Sequence, residues 1–174
     1  MKTVWLLRHA KSSWDDPSLS DRDRPLAPRG LRDAATMASH LATLDHPQLV
    51  LCSAGLRARQ TLAAVVSSLG TAVQIRIEPE LYTFDADVLI ERLRRVDDEV
   101  TSVMLVGHNP ALEELALALG SQGALRDRLA QKFPTAALAA IEVPDGTWSS
   151  LREGTGEIVR FIVPKDLTEG AEPG

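Results

Sequence analysis

Val4, Trp5, Leu6 and Leu7 follow one another without a polar break and stop at Arg8. So short an unbroken apolar run, bounded by polar residues, predicts a strand buried on both faces, read here over Thr3–Arg8. The next stretch, "HAKSSWDDPSLSDRDRPLAPRG", is too polar for core and too long for a simple connector. Helical spacing then returns: Leu31, Ala34, Ala35, Ala38, Leu41 and Ala42 predict a helix over Leu31–Leu44. "LVLCS" (Leu49–Ser53) is a second apolar run, and Leu56, Ala63, Val66 and Leu69 are spaced as a helix face. Ile75–Ile77 reads as a short strand, and Val88, Leu89, Leu93 and Val96 mark a further helix.

"SVMLVGHNP" (Ser102–Pro110) repeats the opening pattern, an apolar strand ending on a histidine, with Pro110 starting a helix through Leu119. "AALAAIEVPDGTW" and "GEIVRFIVP" read as two strands joined by a turn at Asp145-Gly146. Strands that alternate with helices predict an α/β fold, a mostly parallel sheet with helices on both faces and an antiparallel edge. Nothing in the chain reads as a linker or repeat, so one domain is expected over residues 1–165, with a frayed tail over 166–174.

Composition narrows the picture. A chain of 174 residues, 44% hydrophobic and 25% charged, suits one globular domain. A net charge of -5 argues against a general nucleic-acid-binding surface. Cys52 is the only cysteine, which excludes an intrachain disulfide and reads as a small apolar residue of a core strand. Neither a signal-peptide core nor a run of about 20 apolar residues is present, so the expectation is a cytoplasmic protein without a membrane partner.

Ligands of open α/β sheets sit at the carboxyl ends of strands. The first strand ends on Arg8 and His9, the second is followed by "SAGLRARQT" with Arg57 in the first helical turn, and the fourth delivers His108. Two guanidiniums and two imidazoles gathered without a carboxylate nearby in sequence would repel one another, and a phosphate would compensate them. Arginine offers planar paired donors for its oxygens. Each residue alone has a plainer reading: an ion pair of Arg8 with an Asp of the long loop, a solvated Arg57, a helix-capping His108. His40 and His46 read as surface residues, and no closely spaced His pair suggests a metal site.

At these residues the sequence resembles the histidine phosphatase superfamily, which includes the phosphoglycerate mutases. The opening motif stands as Leu6-Leu7-Arg8-His9-Ala10, the second as Ser53, Arg57, Ala58, Gln60 and Thr61, the third as Gly107-His108. "DRPL" at Asp23–Leu26 followed by Gly30, "PEL" at Pro79–Leu81 and "FPTAAL" at Phe133–Leu138 are similar to the small SixA-type phosphohistidine phosphatases. The resemblance spans roughly residues 1 to 165. It implies a three-layer α/β/α, phosphoglycerate mutase-like fold without a cap domain, since only 51 positions separate Arg57 from His108.

It also implies that His9 takes the phosphoryl group covalently, that Arg8, Arg57 and His108 bind the phosphoryl oxygens, and that no cofactor or metal is needed. Two departures stand out: Ala10 replaces the glycine of the motif, and the carboxylic acid that protonates an alcohol leaving group has no clear counterpart. Glu80 is the nearest candidate. An imidazole leaving group relaxes that demand, because its ordinary pKa of about 6.5 makes it far easier to expel than an alkoxide. The expectation is therefore a phosphatase of protein phosphohistidine working at an open site, with Arg24 as a rim contact and Lys11 as an ordinary solvated charge in preference to a second rim contact. A phosphatase of a small phosphoester, such as a nucleotide or sugar phosphate, and a non-catalytic phosphate-binding module are the alternatives. Oligomeric state is not legible.

Overall fold

A computed structural model of the chain describes residues 1–169. Its sheet has six strands: β1 (Lys2–Arg8), β2 (Leu49–Ser53), β3 (Gln74–Glu78), β4 (Ser102–Gly107), β5 (Leu138–Val143) and β6 (Glu157–Ile162). Six α-helices stand among the described residues: α1 (Pro28–Leu41), α2 (Leu56–Val65), α3 (Ala86–Arg94), α4 (Ala111–Leu119), α5 (Ala124–Gln131) and α6 (Pro164–Glu169). The strand order is β3-β2-β4-β1-β5-β6. β3, β2, β4 and β1 run parallel, and β5 pairs antiparallel with both β1 and β6, which gives the expected antiparallel edge.

Alternation along the strands divides the core in two. Val4 and Leu6 of β1 face a cluster that takes in Leu89 and Leu93 of α3 and Leu112 and Leu115 of α4. Trp5 and Leu7 face the opposite cluster, with Met37 and Leu41 of α1 and Leu62 and Val65 of α2. Each large side chain buried in this way contributes about 1.5–3 kcal/mol. The result is the three-layer α/β/α arrangement, and between α2 and β4 lie only a 3-10 turn, β3, a second such turn and α3, with no inserted cap.

Several elements differ from the sequence expectation, each for a local reason. α1 starts at Pro28, a proline at the first helical position, and its buried stripe is Gly30, Ala34, Met37 and Leu41, while Leu31 is exposed. Gly30 sets this placement, because a Cβ there would come 2.1 Å from the carbonyl oxygen of Lys11. α2 buries Arg57, Ala58, Thr61, Leu62 and Val65, so polar residues disguise its inner face. α4 begins at Ala111, with Pro110 as the residue before it. β5 and β6 are not joined by a tight turn at Asp145-Gly146. Their connection carries a 3-10 turn at Trp148–Ser150 that buries Trp148, whose Nε1 donates to the carbonyl of Val100 at 2.7 Å.

α5 and α6 carry little apolar periodicity and were not expected. α6 takes up the start of the expected frayed tail: Asp166 accepts two 2.8 Å bonds from Nη2 of Arg128. Residues 170–174 of that tail lie outside the described residues. Cys52 is fully buried on β2, as read, and burial pushes its thiol up to about 12.

Candidate active site

The sheet order places the three motif-bearing strands side by side as β2-β4-β1, with β4 in the middle. In the parallel register Arg8 stands opposite Gly107, and the amide of His9 donates to the carbonyl of Gly107 at 3.0 Å. The residues that follow these strand ends are therefore neighbours, and the His9 and His108 rings lie 5.3 Å apart, centroid to centroid. Arg57, in the first turn of α2, reaches the same spot. Its Nε donates to Nε2 of His9 at 3.3 Å, and the residue is only 3% exposed, not a solvated helix-start residue. Arg8 Nη1 donates to the carbonyl of Phe133 at 2.8 Å, so its partner is a backbone carbonyl and not the loop aspartate considered from the sequence.

The hydrogen bonds of His9 fix its tautomer. Nδ1 lies 2.7 Å from the carbonyl oxygen of Ala10, which can only accept, so Nδ1 carries the hydrogen. Nε2 then holds the free lone pair, and Arg57 donates to it. His108 is oriented from the other side: its Nε2 is 2.7 Å from Ser53 Oγ, which itself accepts the amide of Gly55 at 3.1 Å. With the Ser53 hydroxyl donating to Nε2, the hydrogen of His108 sits on Nδ1. That atom and Nε of Arg8 are buried without a protein partner. Buried polar groups are nearly always satisfied, so these two atoms, on the chain neighbour of His9 and on the histidine whose ring lies near it, are donors that a bound anion would satisfy.

A family model described as histidine phosphatase superfamily (branch 1) matches residues 4–89. An uncharacterized protein of Mycobacterium tuberculosis is 40% identical over 164 residues, 91% of this chain and all of that protein. The SixA structure from Nakamurella multipartitia superposes with a TM-score of 0.81 at 29% identity, over 94% of this chain and 96% of that one. The structure of the protein histidine phosphatase SixA with tungstate gives a TM-score of 0.75 at 27% identity, over 95% and 99%.

The chain belongs to the histidine phosphatase superfamily. It lies on the SixA-type branch and has the phosphoglycerate mutase-like fold. Its place on this branch makes the chain a phosphatase with a histidine nucleophile, and the site described above has the electrostatics such a nucleophile needs. Burial first, then the charges of His108, Arg57 and Arg8, hold His9 down to about 3, against the contrary pull of the Ala10 carbonyl. Burial and then Arg57 bring His108 to about 4. Both imidazoles are neutral at pH 7, as nucleophilic attack by His9 would require.

The second superfamily motif does more than present Arg57. Thr61 Oγ1 accepts the amide of Ala10 at 2.9 Å and donates to the carbonyl of Arg57 at 2.7 Å. Gln60 Oε1 accepts the amide of Leu26 at 2.8 Å, tying the first loop to α2. Gly55 lets α2 approach, because a Cβ there would meet the His108 ring at 3.1 Å. Ala10 is accommodated in place of the motif glycine. It has no positive φ, and its methyl group packs with Leu26, Ala34 and Ala136.

Four residues of the site were missed as such in the sequence. Asp21, from a 3-10 turn of the first loop, pairs with Arg57 through Oδ2 at 3.0 Å, and Tyr82 also donates to Oδ2. The absence of a carboxylate nearby in sequence thus did not carry over to space. Ser53 stood in the motif without an assigned task. Tyr82 and Phe84 set their ring edges against His108 at 5.2 and 5.7 Å. Glu80, the carboxylate considered as a proton donor, is turned to Arg92 and Arg95, at 3.9 and 3.5 Å. Arg24 is buried, its guanidinium 3.4 Å from the centroid of the Trp14 ring, while Lys11 is exposed.

His40 in α1 and His46 before β2 lie in elements away from these strand ends. Among the described residues no three His, Cys, Asp or Glu side chains gather as metal ligands, and no helix is long and apolar enough to cross a membrane.

Proposed function

We propose that the chain removes phosphoryl groups from phosphohistidine on another protein through a covalent phosphoryl-His9 intermediate. The observation that carries this reading is the neutral His9 with its Nε2 lone pair among the side chains of Arg57, His108 and Arg8. In the first step Nε2 attacks phosphorus and the bond from phosphorus to the substrate nitrogen breaks. A phosphoimidazole protonated on its other nitrogen departs as neutral imidazole, so the enzyme supplies no proton. As the lone pair is used, the Arg57 N–H turns from Nε2 to a phosphoryl oxygen. Arg8 and Nδ1–H of His108 take the remaining developing charge, the largest expected source of rate acceleration. In the second step water attacks phosphorus, the new P–N bond breaks, and inorganic phosphate leaves with His9 neutral again.

Two observations support a P–N over a P–O substrate. Glu80 is engaged by arginines, and the Asp21 carboxylate, paired with Arg57 and Tyr82, is held ionised, so neither is a ready acid for an alkoxide. No cap is inserted between α2 and β4, so no extra domain stands between this end of the sheet and a side chain of another protein. The SixA relative is described as a protein histidine phosphatase, which agrees with this choice. We take residues 1–165 as the catalytic domain and place it in the cytoplasm, where a single buried thiol raises no redox demand. Comparing kcat/KM on phosphohistidine, phosphoramidate and small phosphoesters tests the reading. Preference for P–N bonds supports it; preference for a nucleotide or sugar phosphate replaces it with the small-phosphoester reading. Tight phosphate binding without turnover would leave only a binding module.

A further inference from the structure

Arg57 has three guanidinium nitrogens, and each already has one named partner. Nε donates to Nε2 of His9 at 3.3 Å, Nη1 to the backbone carbonyl of Asp21 at 2.6 Å, and Nη2 to the Asp21 carboxylate at 3.0 Å. A single loop residue therefore takes one N–H of each terminal nitrogen, while the inner Nε–H is directed at His9. A free arginine side chain samples many rotamers, and fixing its plane from behind removes that freedom before a substrate arrives.

The geometry points to Asp21 as a positioning residue that aims the Nε–H of Arg57 at the attacking nitrogen of His9. This inference rests on the reading of His9 as the phosphoryl acceptor. Asp21 is itself held on several sides. Tyr82 donates to the same Oδ2, and the Tyr82 ring stands edge-on to His108 at 87°. Arg24 Nε lies 3.4 Å from Oδ1, while Arg24 Nη2 donates to Ser12 Oγ at 2.8 Å and its guanidinium is stacked on Trp14. Ser12 and Leu26 bridge the two ends of the loop. The loop that begins immediately after the nucleophile thus folds back and grips the arginine that serves it. Asp21 touches neither imidazole by hydrogen bond: its bonded route to His9 runs through Arg57, while its charge also acts on His108 and pulls that imidazole's pKa upward against burial and Arg57.

The opposite role is chemically possible for the same contact. A carboxylate on the arginine could be a stand-in for phosphate, keeping the site closed until a phosphoryl group displaces it. The two roles predict opposite signs, and the buried Arg57 with its inner N–H already on His9 favours the holder.

The test compares wild type with Asp21→Ala and Asp21→Asn. Misplacing a catalytic group by about 1 Å costs on the order of 10²-fold in rate, so Asp21→Ala is expected to lower kcat by about that factor while KM for phosphoramidate changes little. Asp21→Asn, which keeps an acceptor but loses the charge, is expected to recover part of the loss. Thermal unfolding of both variants is expected to stay close to wild type. Unchanged or raised kcat, or tighter binding of inorganic phosphate by Asp21→Ala, would overturn the inference in favour of a stand-in for phosphate. A second measurement needs no turnover: the Arg57 Nε–H resonance, and the His9 Nε2 to which it donates, are followed by nitrogen-15 NMR in the free protein. Loss or broadening of that resonance in Asp21→Ala supports the aiming role. An unaltered resonance overturns it, even where no phosphorylated substrate is turned over.

Discussion

Nε of Arg57 lies 3.3 Å from Nε2 of His9, the ring nitrogen left without a hydrogen by the contact of Nδ1 with the Ala10 carbonyl. One residue comes from the turn after β1 and the other from the first turn of α2, 48 positions later. Lysine cannot reproduce this relationship, because a single ammonium cannot hold Asp21 with two nitrogens and present a third to His9. Arg57→Lys is expected to keep the fold and lower kcat by about 10²–10³-fold, the scale of removing one preorganised donor. Steady-state kinetics on phosphoramidate, with thermal unfolding as the control, checks this.

The histidines make a prediction about pH. His9 and His108 titrate near 3 and 4 in the folded chain and near 6.5 when unfolded. Between those limits the unfolded chain binds more protons than the folded one, so stability is full above about pH 6.5 and falls as pH drops towards 4 and 3. Each such proton contributes a slope of up to about 1.4 kcal/mol per pH unit. Urea unfolding from pH 7.5 to 4.5 should show this loss, and His9→Asn should reduce its slope. Proton NMR should find both rings still neutral at pH 5.5 in the native protein.

Glu80 provides a negative control. Its carboxylate faces Arg92 and Arg95, so Glu80→Gln is expected to leave kcat/KM on phosphohistidine within about two-fold. A loss of 10²-fold or more, the scale of a general acid, would make Glu80 the proton donor that the proposed mechanism omits.

Gly30 links the first loop to α1 by near contact with Lys11, whose carbonyl also accepts the amide of Ala27 at 2.9 Å. Gly30→Ala drives a methyl group into that carbonyl and is expected to cost about 1–3 kcal/mol, or more if the loop cannot yield. Denaturant midpoints measure it. Because the same loop carries Asp21, activity should fall more steeply than stability alone explains.

The sequence pattern disclosed the sheet well and the helix faces less well, for a physical reason. Strands buried on both faces are apolar throughout, so Val4–Leu7, Leu49–Cys52 and Val103–Val106 stand out at once. α2 turns Arg57 and Thr61 inward to the site, and a search for apolar periodicity settles on Leu56 and Ala63 instead. α1 was placed one turn late because Gly30, which has no side chain to count, is part of its buried stripe. The convergence of Arg8, His9, Arg57 and His108 was legible because each ends or follows an apolar strand or lies in the first turn of the following helix. Asp21 and Tyr82 were not, since the contact between them spans 61 positions and neither lies in a strand-end pattern. The adjacency of β2, β4 and β1 is what turns separate motifs into one site, and chain order alone does not state it.

The central claim is that Nε2 of His9 carries the phosphoryl group during turnover. Mass spectrometry of enzyme mixed with phosphoramidate and quenched at alkaline pH, combined with phosphorus-31 NMR of the trapped species, tests it directly. The account predicts an alkali-stable, acid-labile phosphate on His9, bonded at Nε2, and none in His9→Ala. Phosphate located on any other residue, or label that survives acid, would contradict it.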